Sequence, residues 1–307
     1  MHSYRISGLL VESELALPGA MATAVGGPAD VTVRYGAVPE ALPGASASGP
    51  TWQMEGDRFL LCIPNIARFL LAGGRSVVVE PASEATVADI PVFMLGTVLS
   101  LLQHQRARIV LHASAVCVNG RAVLFCGRSG AGKSTLAATL AQHGYPVIND
   151  DVCAISIEHH ERPVVYPDGR KPKLWSRDIE RLGLAERRGE RVRRHLDKYY
   201  VDFGGRFSEP LPIAAVYDLH DALPPIEPGI KRSNAVDATL TLKRFAYRQN
   251  MVTRLDQWPL YFKAAITVAN SSAMFNLHRV RDFSQLAALV AALERHWIEL
   301  RLMEATA

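Results

Sequence analysis

The sequence predicts an α/β fold, a P-loop core of strands and helices behind a β-rich N-terminal subdomain. Three observations carry that expectation. Residues Gly127–Ser134 read GRSGAGKS and fit the phosphate-binding pattern G-x-x-x-x-G-K-[ST]. They lie between an apolar β-forming segment and a segment with helical spacing, which is the strand–loop–helix context the pattern requires. Residues 1 to about 80 hold short β-forming runs punctuated by Pro and Gly.

Taken in order, Tyr4–Val11, Val31–Tyr35, Thr51–Glu55, Arg58–Ile63 and Ser76–Glu80 are predicted strands, and Pro39–Pro50 a loop. The expected division is a β-rich subdomain over residues 1–90 and a catalytic domain over residues 91–307. Residues 91–106 predict a helix, with Val92, Leu95, Leu99 and Leu102 near one face. Ile109–Val118 and Arg121–Cys126 read as two strands joined at Asn119-Gly120, a strong hairpin signal. Ser134–Gln142 is helical, with Leu136 and Leu140 on one face and His143-Gly144 as its stop. Residues 160–210 are polar and basic. Their arginines at 177, 181, 187, 188, 191, 193 and 194 read as a solvated helix face rather than a docking site. Residues 211–219 return to a buried strand, Ala222–Pro228 is a surface loop, and Asp282–Leu302 is an amphipathic helix docked on the core.

Composition bounds the function. With 49% hydrophobic and 21% charged residues, the 307-residue chain is expected to be globular. A net charge of +4 does not by itself imply a nucleic-acid partner. Cys62, Cys117, Cys126 and Cys153 form no C-x-x-C pair and are expected to be reduced thiols. The first residues lack a secretory pattern, and the longest apolar stretch, Val92–Leu102, is too short to span a bilayer. A cytoplasmic protein with no membrane partner is expected.

The chemistry of the central segment follows from its residue types. Glycines let several backbone N–H groups converge on one anion, and the following helix adds its positive end. Gly127, Ser129, Gly130, Ala131, Gly132, Lys133, Ser134 and Thr135 are therefore the candidate nucleotide-binding residues. Lys133 is expected to reach the β/γ-phosphates and the Ser134 hydroxyl to bind Mg²⁺. Asp150 and Asp151 close an apolar stretch shortly after the helix. One carboxylate can hold Mg²⁺ and the other can take a proton from an attacking hydroxyl. Strand alternation puts His112 and Ser114 on one face, and the expected register brings His112 to Asp150. Arg170, Lys171 and Lys173 offer cations to a transferring phosphate, or form a solvated basic loop.

The segment LHASAV…FCGRSGAGKSTLAATLAQHGYPVINDD, together with PKLW, resembles the core of the HPr serine kinase/phosphorylase family. Its wording is similar to the HPr-kinase-like proteins that phosphorylate the C-terminal serine of lasso peptide precursors. The N-terminal YRISGLLVESELALPG and the later PLPIAAVYDL are similar to that subgroup too. The resemblance is specific over residues 108–152. It implies that Gly127–Ser134 hold ATP and Mg²⁺, that Asp150 is the general base, that His112 interacts with it, and that Asp151 assists the metal. Thr135 stands where HPr kinases commonly carry Glu, and no Glu-x-Arg-Gly-type segment follows the acid pair. A kinase is therefore expected, without phosphorylase activity and with an acceptor other than HPr. Related kinases often form oligomers, so a homo-oligomer is compatible with the resemblance, although no interface is legible.

The function expected is ATP-dependent phosphorylation of a serine hydroxyl on a peptide. Two alternatives stay open at this point: a small-molecule kinase, since acceptor choice lies in loops, and a nucleotide-gated binding module that transfers no phosphate.

Overall fold

A computed structural model describes residues 1–24, 27–83, 89–158, 162–205 and 207–304. The N-terminal part is an eight-stranded sheet. Its strands are β1 (His2–Ile6), β2 (Leu9–Ser13), β3 (Val31–Tyr35), β4 (Ala47–Gly49), β5 (Trp52–Glu55), β6 (Arg58–Ile63), β7 (Ala67–Ala72) and β8 (Ser76–Pro81), in the order β1-β2-β3-β8-β7-β6-β5-β4. Alternation decides which face is buried: Ala67, Phe69 and Leu71 of β7 and Val77 and Val79 of β8 point into one apolar core. The sequence led us to expect one strand over Tyr4–Val11. The chain instead turns at Ser7-Gly8, both with positive φ, and the two halves pair as an antiparallel hairpin. Strand β7 was not anticipated, and β4 forms inside the expected loop Pro39–Pro50.

Helical structure runs from Ile90 to Gln105 as α1 (Ile90–Phe93), a π-helical segment (Met94–Val98) and α2 (Leu99–Gln105). Ile90, Met94, Leu95, Val98, Leu99 and Leu102 bury themselves in the core of the N-terminal sheet.

The nine-stranded second sheet contains β9 (Ile109–Leu111), β10 (Ala113–Val118), β11 (Arg121–Cys126), β12 (Val147–Asn149), β13 (Cys153–Ser156) and β14 (Val164–Tyr166). A small antiparallel sheet follows, of β15 (Lys173–Trp175), β16 (Arg188–Arg193) and β17 (Leu196–Val201), with β17 in the middle. The large sheet is completed by β18 (Leu211–Asp221), β19 (Gly229–Arg232) and β20 (Ala273–Arg279). Strands β11, β18 and β20 lie side by side and parallel. Helices cover both faces, as an α/β architecture requires. Helix α3 (Lys133–Gln142) and the C-terminal helix (Leu286–Glu299) pack on the face bearing Val123 and Phe125. The helices Ala235–Arg244 and Trp258–Ser271 pack on the face bearing Ala122 and Leu124. Trp297 is fully buried and donates its indole N–H to the Tyr217 hydroxyl at 3.1 Å.

Two further expectations need correction. The arginine-rich stretch is not a helix face. The short helix Ser176–Arg181 stops before Gly183, whose φ is +64°, and Arg188–Arg193 form an edge strand. The C-terminal helix begins at Leu286 after a 3₁₀ turn over Phe283–Gln285 and ends at Glu299, short of the expected Leu302. No helix among the described residues is long and apolar enough to cross a membrane.

Candidate active site

Strand β11 runs into the glycine-rich loop, and α3 leaves it. Gly130 and Gly132 have φ of +78° and +82°, the left-handed region that glycine tolerates best. At Gly132 a side chain would also come within 3.2 Å of the Arg279 guanidinium. Lys133 is buried, and its ammonium donates to the carbonyls of Gly127 (2.9 Å) and Arg128 (3.2 Å). Burial holds its pKa below the ordinary lysine value.

Sheet pairing delivers the acid pair to this loop. Strand β12 lies against β10 with Asn149 opposite Ala115, which sets the next residue, Asp150, beside Ser114. One Asp150 oxygen, Oδ1, accepts hydrogen bonds from the hydroxyls of Ser134 (2.7 Å) and Ser114 (2.9 Å). The other accepts from the backbone N–H of Lys173 (3.1 Å). Strand β13 pairs with β9, Cys153 opposite Leu111, so Asp151 faces the start of β10. Its Oδ1 lies 3.2 Å from His112 Nε2. The register expected from sequence joined His112 to Asp150. The structure joins it to Asp151, because the expected strand Ile109–Val118 breaks at His112 into β9 and β10 with different neighbours.

The His112 backbone N–H donates to Phe245 O (2.8 Å), and its ring meets Tyr247 edge-on at 6.1 Å, which fixes the imidazole position. Asp151 itself has φ of +78°. Burial alone would raise its carboxyl pKa. The His112 hydrogen bond and the nearby Arg170 and Lys173 cations outweigh that and hold it well below the usual carboxylate range.

The three basic candidates separate. Lys173 lines the same cleft as Lys133, Ser134, Asp151 and His112, a space of about 200 Å³. Burial, reinforced by Arg170, brings its ammonium pKa down to about 8. Arg170 is buried away from that cleft. It pairs with the buried Asp168 at 3.0 Å and donates to Leu95 O at 2.7 Å. Lys171 is exposed and pairs with Asp202 at 2.8 Å. Asp168 also accepts from the Asp150 N–H at 3.3 Å, so the Asp168–Arg170 pair braces the acid pair from behind. Sequence reasoning passed over Asp168, and it placed Ser114 on the His112 face without giving it a role. The signal for Asp168 was the PDGR run, where Asp168 closes an Asx-type turn onto the Arg170 N–H at 3.0 Å. Thr135 donates to Asp178 Oδ2 at 3.1 Å.

Ser134 and Asp150 form an oxygen-only donor pair, which fits Mg²⁺. That ion takes one or two protein ligands and completes its shell with phosphate oxygens and water. Among the described residues, no group of three or more His, Cys, Asp or Glu side chains forms a protein-only metal cage.

No protein-family model matches the chain. It is 34% identical over 93 residues to the HPr kinase/phosphorylase of Mycoplasmopsis pulmonis, covering 30% of this chain and 28% of that protein. It is 31% identical over 126 residues to the Lactobacillus acidophilus HPr kinase/phosphorylase and 32% to that of Lacticaseibacillus casei, covering 38% of each chain. Among solved structures, the Hpr(Ser) kinase/phosphatase from Coxiella burnetii aligns with a TM-score of 0.35 and 12% identity, over 62% of this chain and 92% of that one. The chain therefore spans only about a third of the length of the curated relatives it matches, and over that segment it is homologous to the HPr kinase/phosphorylase family.

Proposed function

We propose that this protein is an ATP- and Mg²⁺-dependent kinase that transfers the γ-phosphate to a serine hydroxyl of a peptide, the C-terminal serine of a lasso peptide precursor. The observation that carries the reading is one cleft holding four kinds of group. It joins a glycine-rich loop and its lysine, the Ser134 hydroxyl with Asp150 hydrogen-bonded behind it, and a separate carboxylate, Asp151, braced by His112. The partial homology to HPr kinases supports the reaction type, and the wording of residues 108–152 supports the acceptor.

The contacts support the following roles. Gly127–Ser134 act as the P-loop: its N–H groups cradle the phosphates and Lys133 balances charge on the β/γ-phosphates. Asp150 and Ser134 would hold Mg²⁺, which would offset negative charge on the transferring phosphate. The sequence expectation gave the base to Asp150. The contacts favour the reverse, because Asp150 is committed to Ser134, Ser114 and the Lys173 N–H while Asp151 faces the cleft. Asp151 accepts the hydroxyl proton as the acceptor oxygen bonds to the γ-phosphorus and the bond to the β,γ-bridging oxygen breaks, releasing ADP. A weakly basic carboxylate suffices, since a loose transition state demands little early proton removal. His112 orients Asp151, and Lys173 adds a cation beside the transferring group.

The test is intact-mass spectrometry of a serine-terminated lasso precursor peptide incubated with the protein, ATP and Mg²⁺, with K133A as control. A gain of roughly 80 Da per phosphate, absent with K133A, is expected. No gain from a protein that still binds ATP overturns the peptide acceptor.

A further inference from the structure

The reaction cleft continues on both sides of the glycine-rich loop. On the His112 side lies a space of about 400 Å³ walled by Arg128, Arg244, Tyr247 and Arg248. On the opposite side, sharing Gly130, Gly132 and Asp178 with the reaction cleft, lies one of about 250 Å³. Thr135, Arg181, Arg279, Phe283 and Leu286 line it. Resting on the kinase reading, we infer that this second space is the nucleoside half of the donor site. The base stacks on Phe283, and Arg279 faces the phosphates.

Direction comes first. Asp151 and His112 mark the end where the γ-phosphate leaves, so the rest of the nucleotide extends away from them along the loop. That path passes Gly132 and reaches Thr135, the entrance to the second space. The lining then suits a base. Phe283 and Leu286 are half-buried and are the two large apolar side chains in a lining otherwise made of Gly130, Gly132, Thr135 and charged groups. The Arg181 guanidinium lies over one face of the Phe283 ring, 4.8 Å from its centroid, and its plane is a second stacking surface beside the ring. Asp282 accepts the Ser284 N–H at 2.8 Å and fixes the 3₁₀ turn that presents Phe283.

Arg279 supplies an independent observation. It ends β20, is 6% exposed, and donates through Nη2 to the carbonyl of Ala131 in the glycine-rich loop. Its Nε is buried and has no hydrogen-bond partner among the described residues. A buried guanidinium N–H without an acceptor is costly, and a phosphate oxygen is the acceptor best matched to it. The carboxylates in the cleft do not replace that acceptor. Asp178 accepts from Thr135 and pairs with Arg177 at 3.4 Å, and Asp282 holds its turn.

The test compares ATP with inorganic tripolyphosphate, which carries the phosphates without a base, by calorimetry in Mg²⁺. In F283A, ATP should bind at least about fivefold more weakly, with tripolyphosphate changed by less than about twofold. F283W should restore ATP binding. R279M should weaken both probes, since its contact is with phosphate. Unchanged ATP binding in F283A, or equal loss of both probes, overturns the inference while leaving the kinase reading intact. Failure of the unaltered protein to bind either probe overturns the kinase reading and this inference with it.

Discussion

Exchanging Asn for each member of the acid pair should separate a metal-side carboxylate from a base. In D151N the loss is chemical. The side chain keeps its shape beside His112, 3.2 Å away, but can no longer accept a proton. General-base contributions of about 10²–10⁴ in rate convert to roughly 3–5 kcal/mol of barrier. Nucleotide affinity and Mg²⁺ requirement should not move. In D150N the geometry dictates how the amide sits. The Lys173 N–H can only donate, so the Asn carbonyl must face it, and the NH₂ must face the Ser114 and Ser134 hydroxyls, which rotate to accept. The fold survives, but the charge beside Ser134 is gone. The Mg²⁺ concentration for half-maximal rate should rise about 10–100-fold, with part of the rate recovered at high Mg²⁺. The assay is the initial rate of phosphate transfer, and of ATP hydrolysis, across a Mg²⁺ titration. If D150N stays inactive at every Mg²⁺ concentration while D151N keeps most of its rate, Asp150 is the base and the exchange of roles proposed above is wrong.

Other consequences follow from the same contacts. H112F removes the hydrogen bond that helps depress the Asp151 carboxyl, so that pKa should rise toward the ordinary range and the acid limb of the pH–rate profile should move to higher pH. A profile that falls in height without shifting would refute the pairing. Lys173, at about 8, is charged below that pH and neutral above it, so kcat/KM should fall as pH rises through about 8, and K173M should flatten that limb. Unfolding does not explain such a fall. Between about 8 and the ordinary value of 10.5 the unfolded chain binds the extra proton, so this lysine makes the fold more stable as pH rises. Finally, R170M should destabilise the protein by about 3–5 kcal/mol in urea, because it strands the buried Asp168 charge. A loss below about 1 kcal/mol would show that the pair is not buried as described.

What the sequence made legible tracks how local each signal was. The hairpin turn at Asn119-Gly120, the strand Arg121–Cys126, the helix after Gly132 and the buried strand from Leu211 each depend on a few neighbouring residues, and each forms where expected. The His112 partner was missed because it depends on which distant strands flank β9 and β10. A single break at residue 112 hands β9 to β13 and β10 to β12. The arginine-rich segment misled because its charges obscured the apolar positions. Val192 is the one buried residue of β16, and Tyr199, Tyr200 and Val201 of β17 are consecutive, so neither strand shows a clear period of two. Arg170 looked like a phosphate contact because sequence shows charge and conceals burial. Its place is set by Asp168 two residues before it and by Leu95 in a different part of the chain.

That last contact explains how the N-terminal sheet bears on the chemistry. Leu95 sits in the π-helical segment Met94–Val98, whose altered ladder changes which carbonyls are taken up within the helix. Its carbonyl accepts from Arg170, while its side chain belongs to the core of the N-terminal sheet. Arg170 in turn holds Asp168, and Asp168 receives the Asp150 N–H. A chain of buried contacts thus runs from the N-terminal sheet through Leu95, Arg170 and Asp168 to the acid pair. Close-packed interiors transmit small displacements along such chains. A cavity opened under Leu95, as in L95A, should therefore disturb Asp150 before it disturbs the glycine-rich loop. The Mg²⁺ requirement should rise with tripolyphosphate affinity unchanged, and a variant that loses both together would show that the N-terminal sheet supports the whole site rather than the acid pair.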